Sequence, residues 1–209
     1  MTELPPRCNV LGVGVSVVNM QTAIAAIVSS LELGRIGYVC VSPVHPVVEA
    51  RKDPAFSATL NGSLLTVPDG MPLVWVGRLR GHRDMDRVYG PDLMMEILRL
   101  SPERGWSHFF YGGSEGVSEA LKKRMEDRFP GLKVVGTDCP PFRLLTEEEE
   151  VALRERVARL KPSFMWIGLG CPKQERFMYR YAGLLEAKIM IGVGAAFDIH
   201  TGRLEDSPG

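Results

Sequence analysis

The chain has 209 residues, 45% hydrophobic and 24% charged, with 25 Lys and Arg set against 25 Asp and Glu. That length supports one substantial core, so a single globular domain over 1–209 is expected. A formal charge of zero gives no global attraction to nucleic acid, and no nucleic-acid partner is expected.

The opening MTELPPRCNV lacks a basic segment followed by an apolar one, which argues against a signal peptide. No apolar run approaches the roughly 18 residues of a membrane span. Cys8, Cys40, Cys139 and Cys171 are scattered with no CxxC pair. Such spacing offers neither a zinc knuckle nor a redox dithiol, and it suits a reducing cytoplasm.

Along the chain, YVCVS (38–42), LLTV (64–67), HFFYG (108–112), LKVVG (132–136), FMWIGLG (164–170) and KIMIGVG (188–194) read as buried strands. Between them lie helical patterns. In SEGVSEALKKRMEDRF, Val117, Leu121 and Met125 recur every four residues. TEEEEVALRERVARL opens with Thr146 and Glu149 at capping-box spacing, so Glu147–Glu150 form a first helical turn rather than a metal site. Strands alternating with helices predict an α/β, Rossmann-like fold whose mostly parallel sheet carries helices on both faces. Ligands in such folds bind beyond the carboxyl ends of the strands.

Asp69 follows the second of these strands, in LLTVPDGMPLVW. It can cap the helix that Met71-Pro72 begins, make a turn, or face the ligand crevice. After Gly112 at the strand end, Gly113, Ser114 and Gly116 open a helix, and Gly112 and Gly113 are candidates to let a phosphate approach free N–H groups. Cys139-Pro140-Pro141-Phe142 reads as an exposed loop. In GLGCPKQERF, Pro172 suits a first helical turn and leaves Lys173, Gln174 and Glu175 near the strand end. Cys171 has no histidine nearby in sequence and reads as a small buried thiol. Asp198 and His200 follow the last strand, but two ligands make a poor metal site.

Gly12-x-Gly14, Gly168-x-Gly170 and Gly192-x-Gly194 each begin like a dinucleotide fingerprint. Val17, Lys173 and Phe197 stand where the third glycine belongs, so nicotinamide and flavin are not expected. Asp84-Met85-Asp86 lies among Arg83 and Arg87 rather than after an apolar strand, and reads as a charged loop.

The ordered set DPAF, NGSLLTVPDGMPLVW, RLRG, RVYGPDLM, FFYGG, FPGLKVVGT, PPF, WIGLGCPKQE, IGVGAAFD and GR closely resembles the WecG/TagA/CpsF glycosyltransferase family over about residues 9–204. Its members make bacterial surface polysaccharides and teichoic acid linkage units. The resemblance implies an inverting, metal-independent transfer of an N-acetylmannosamine-type sugar from UDP to a polyprenyl-diphosphate-linked acceptor. It implies no cofactor, and a location at the inner face of the cell membrane. Position by position, Asp69 matches the catalytic base, Arg87 the arginine that contacts the diphosphate, and Asp92 lies in the same RVYGPD motif. Gln174 matches a pocket glutamine and Asp198 an acid near the nucleotide end.

The chain departs from the family twice. Val41-Ser42-Pro43 stands where Thr-x-Asn is usual, with Ser42 or His45 placed to compensate. It also stops at Ser207-Pro208-Gly209, so it is expected to lack the family's amphipathic C-terminal tail, and apolar surface left bare would favour a homo-oligomer. These departures motivate a second reading, a catalytically weak nucleotide-sugar binder or assembly partner.

Overall fold

The computed structural model describes residues 3–205. It opens with a hairpin, β1 (Arg7–Val10) and β2 (Val13–Ser16), paired antiparallel. Leu11 and Gly12 both take positive φ, 52° and 92°, as a two-residue hairpin turn requires. The first Gly-x-Gly is therefore turn chemistry. No strand was expected here, because four-residue strands broken by two glycines carry little periodicity.

The chain continues through α1 (Met20–Glu32), β3 (Gly37–Ser42), α2 (Val44–Ala50), α3 (Pro54–Asn61), β4 (Leu65–Pro68), α4 (Met71–Leu79) and α5 (Gly90–Arg104). Then follow β5 (Ser107–Gly112), α6 (Val117–Arg128), β6 (Lys133–Asp138), α7 (Glu147–Leu160), β7 (Phe164–Gly168), α8 (Lys173–Tyr181), β8 (Ile189–Gly192) and α9 (Ala196–Thr201). All six strands expected from the sequence are present. They form one sheet in the order β4-β3-β8-β7-β5-β6, with every pairing parallel.

Both faces of the sheet are covered, as a parallel sheet requires. Val39, Val41, Phe110, Trp166 and Ile191 point to the side covered by α1, α5, α6 and α9. Their neighbours Tyr38, Cys40, Phe109, Tyr111, Ile167 and Met190 point to the opposite side, covered by the hairpin, α3 and α8. Period-two alternation therefore divides one apolar run between two cores. His108 lies wholly inside the first layer, where Trp166 Nε1 donates to its Nδ1 at 3.0 Å. Burial pulls that imidazole down to about 3, so it is neutral at physiological pH.

The expected capping box forms: Thr146 accepts from the Glu149 N–H, and Glu149 accepts from the Thr146 N–H at 2.8 Å. Glu149 also takes both Arg143 guanidinium nitrogens, at 2.7 and 2.8 Å, so the acidic run is spent on the helix start and its neighbours.

Helix α6 leaves β5 across one face toward β6, while α8 leaves β7 across the other toward β8. Adjacent strands whose connections diverge to opposite faces leave a crevice beyond their carboxyl ends. That position lies between β5 and β7.

Candidate active site

A cavity of about 740 Å³ occupies that crevice. Tyr111, Gly113 and Ser114 contribute from the end of β5, Gly168 to Gly170 from β7, and Gly194, Ala195 and Asp198 from the β8 end. Lys173 lies on its wall, and the 140–145 segment forms the outer side. Phe142, 93% exposed, holds its ring 3.5 Å from Lys173 Nζ. Residues 139–142 were expected only as an exposed loop, and Tyr111, Phe142, Arg176 and Arg180, which also line the cavity, were not among the expected site residues. The signal was available: CPPF follows a strand's carboxyl end, where the crevice rule applies.

The glycines here have distinct reasons. Gly112 has φ 122°, and a Cβ on it would lie 2.4 Å from the Gly168 carbonyl oxygen. Only glycine lets these two strand ends pass so closely. Gly113 donates its N–H to the same carbonyl at 2.9 Å, which fixes the turn into α6.

Asp69 stands at the end of β4. Its N–H donates to the Ser42 carbonyl at 3.0 Å, extending the β3–β4 ladder by one residue. Gly70, not Asp69, is the N-cap of α4, and no side chain caps that helix. The capping expectation for Asp69 is thus corrected, because its carboxylate turns elsewhere. The Val88 N–H donates to the Pro68 carbonyl at 2.7 Å, laying the 86–88 segment against the strand end. That brings Arg87 Nε to 3.4 Å from Asp69 Oδ1. Both atoms are buried without a hydrogen-bond partner, so the contact is ionic but poorly aligned. Burial pushes the Asp69 carboxyl up to about 6, against the opposing influence of Arg87 and the Gly90 N–H. Asp92, exposed in the first turn of α5, pushes it slightly further up.

Asp69 and Arg87 do not line the large cavity, but Gly90 stands between Asp69 and the β8 loop that does. A Cβ placed on Gly90 would lie 3.8 Å from Asp69 Oδ2 and 3.6 Å from the Val193 carbonyl. The next residue, Gly194, lines the cavity and donates its N–H to Gln174 Oε1 at 3.0 Å. Gln174 is itself buried, and its Nε2 donates to Glu175 Oε1 at 2.9 Å. Gln174 thus braces the β8 loop. Glu175 is fully buried beneath it, so its carboxyl does not form the pocket wall.

The remaining expected positions separate into two groups. Arg87 also borders a second, polar depression of about 480 Å³ with Asn19, Arg78, Arg83, Asp84 and Asp86. There Asp86 pairs with Arg78 at 3.1 Å while Met85 is buried, as a charged loop would arrange them. Ser42 is buried with its Oγ unpartnered, and Pro43 is exposed. His45 lies on α2 with Nδ1 3.8 Å from Glu49 Oε2. His200 Nε2 lies 3.1 Å from the Pro91 carbonyl, and Asp198 faces the cavity. Cys171, expected buried, is exposed, because β7 ends at Gly168 and releases the next turn to solvent.

A sequence profile described as "Glycosyl transferase WecG/TagA/CpsF family" matches residues 8–209. Among curated relatives, an N-acetylglucosaminyldiphosphoundecaprenol N-acetyl-beta-D-mannosaminyltransferase of Bacillus subtilis (strain 168) is 27% identical over 83% of this chain and 66% of its own length. Proteins of the same name from Bacillus spizizenii and Staphylococcus aureus (strain MRSA252) are 29% and 25% identical, over 77% and 74% of this chain. The matches cover 60% and 59% of those two relatives, so the chain spans about three-fifths to two-thirds of the length of these proteins. The chain belongs to the WecG/TagA/CpsF glycosyltransferase family.

Proposed function

We propose that this chain carries the sugar-transfer centre of an inverting, metal-independent glycosyltransferase. The donor is a UDP-linked N-acetylmannosamine-type sugar and the acceptor is a sugar on a polyprenyl diphosphate. The observation that carries the reading is Asp69: a partly buried acid at a strand's carboxyl end, facing Arg87 and separated by Gly90 from the β8 loop that lines the crevice.

A free acceptor hydroxyl is a weak nucleophile. Asp69 takes its proton as the oxygen attacks the anomeric carbon from the face opposite the diphosphate. The new C–O bond forms as the bond to UDP breaks, and UDP leaves with the electron pair. Charge then grows on the leaving phosphate, where Arg87 and backbone N–H groups neutralise it. A carboxyl titrating near 6 is a stronger base than an ordinary aspartate, yet it is mostly ionised at pH 7. The large cavity takes the nucleoside end, with the exposed Phe142 ring beside Lys173 offering a stacking face. The relatives' activity, N-acetyl-beta-D-mannosaminyl transfer with N-acetylglucosaminyldiphosphoundecaprenol, supports this choice of donor and acceptor.

Among the described residues no helix is long and apolar enough to cross a membrane. Trp75 and Leu79, 56% and 87% exposed on α4 directly after Asp69-Gly70, support a peripheral position beside the lipid-linked acceptor.

The test is incubation with radiolabelled UDP-N-acetylmannosamine and a synthetic lipid-diphosphate acceptor. Transfer in the wild type that collapses in Asp69→Asn supports the reading. Tight UDP binding with no product, even after fusion to a relative's remaining C-terminal segment, would favour the weak binder or assembly partner instead.

A further inference from the structure

His45, Glu49 and Cys171 come from two segments far apart in sequence, yet His45 Nδ1 or Nε2, a Glu49 carboxylate oxygen and Cys171 Sγ all lie within 4.8 Å of one another. His45 and Glu49 share one face of α2 at i, i+4 spacing, and Cys171 approaches from the turn between β7 and α8. Behind the cluster lies Glu175. Its Oε1 accepts from Gln174, its Oε2 is buried without a well-formed hydrogen bond, and its carboxyl lies beside the Cys171 thiol and near Glu49. Arg176, whose charge acts on the Cys171 thiol, is already paired with Asp53 at 2.7 Å. A thiol, an imidazole and two carboxyl groups thus converge with little positive charge among them.

We propose that this cluster is a site for a thiophilic divalent cation of the zinc class, bound by Cys171 Sγ, a His45 ring nitrogen and Glu49, with the buried Glu175 carboxyl group behind it. Sulfur, nitrogen and oxygen donors together favour zinc over magnesium or calcium. Closing from 4.8 Å to the spacing of ligands on one ion needs only side-chain rotation, since His45 and Cys171 are exposed and Glu49 is partly so. Binding releases the thiol proton to solvent and ties α2 to the β7–α8 turn. No part in the sugar transfer is assigned to the ion, so the site stands independently of the proposed activity.

The test is titration of the full chain with Co²⁺, which reports thiolate ligation through a sulfur-to-cobalt charge-transfer band, followed by competition with Zn²⁺. The expected result is one saturable equivalent whose band is lost in Cys171→Ser and kept in Cys139→Ser. His45→Ala and Glu49→Ala should each weaken binding at least about tenfold. Cys171 is exposed, so its serine variant is expected to fold, and circular dichroism checks this. Absence of a saturable band overturns the proposal. So does a band that survives Cys171→Ser, or wild-type affinity in both His45→Ala and Glu49→Ala.

Discussion

Arg87 Nε lies 3.4 Å from Asp69 Oδ1, and neither atom has a hydrogen-bond partner although both are buried. A well-aligned pair would hold the carboxylate far below its ordinary range. This misaligned one leaves desolvation dominant, so the acid keeps its basicity while a cation stays close by.

The first expectation concerns the base. Asp69→Asn should lower kcat by about 10²–10⁴ while UDP affinity stays within about threefold. The wild-type kcat/KM should fall on the acid side with an apparent pKa near 6, as Asp69 gains its proton. A flat profile from pH 5 to 8 would remove Asp69 from that role.

Arg87 acts on two quantities that can be measured separately. Arg87→Ala should cost about 10²–10³ in kcat through lost stabilisation of the leaving group. Because Arg87 holds the Asp69 carboxyl down, its removal should also move the acid limb of the profile to higher pH. Loss of rate with an unmoved limb would assign Arg87 to the diphosphate alone.

Stability should change in the opposite sense to activity at position 69. The folded carboxyl titrates near 6, above its unfolded value, so the native state retains a proton that the unfolded chain has released. Stability therefore falls as pH rises through roughly 4 to 6, and the ionised acid costs at most about 3 kcal/mol above that window. Asp69→Asn should melt at a higher temperature than wild type at pH 7.5, with the gap closing toward pH 4. A lower melting temperature at pH 7.5 would contradict this.

Gly112→Ala should be severe. Its Cβ would strike the Gly168 backbone, which no rotamer change relieves, and φ is 122°. A loss of about 3 kcal/mol or more is expected, lowering Tm by about 10 °C. Gly116→Ala is the comparison: φ is 77° with open space around it, so strain alone applies, about 1–2 kcal/mol. Equal losses at both positions, read by calorimetry, would refute the close-packing account.

Phe142 carries the nucleotide expectation. Phe142→Ala should weaken UDP binding by about 5- to 100-fold, the range for losing one base-stacking face, while Phe142→Trp retains it. The ring is 93% exposed, so folding stability should change by less than about 0.5 kcal/mol. Unchanged UDP affinity would move the base elsewhere in the cavity.

What the sequence determined by itself was the layered fold. Six apolar runs such as FMWIGLG announce buried parallel strands because both faces of such a strand meet a core, and Thr146 with Glu149 announces a helix start because that cap is local. Asp69 was legible because a charge inside an apolar run needs a reason. Tertiary structure alone decided the strand order, and hence that the open crevice lies between β5 and β7. It likewise decided that Gln174 and Glu175 lie beneath the pocket, that Phe142 forms its outer wall, and that His45 and Glu49 meet Cys171. Local spacing encodes caps, turns and faces, whereas a contact across more than a hundred residues depends on how the connections between strands cross the sheet.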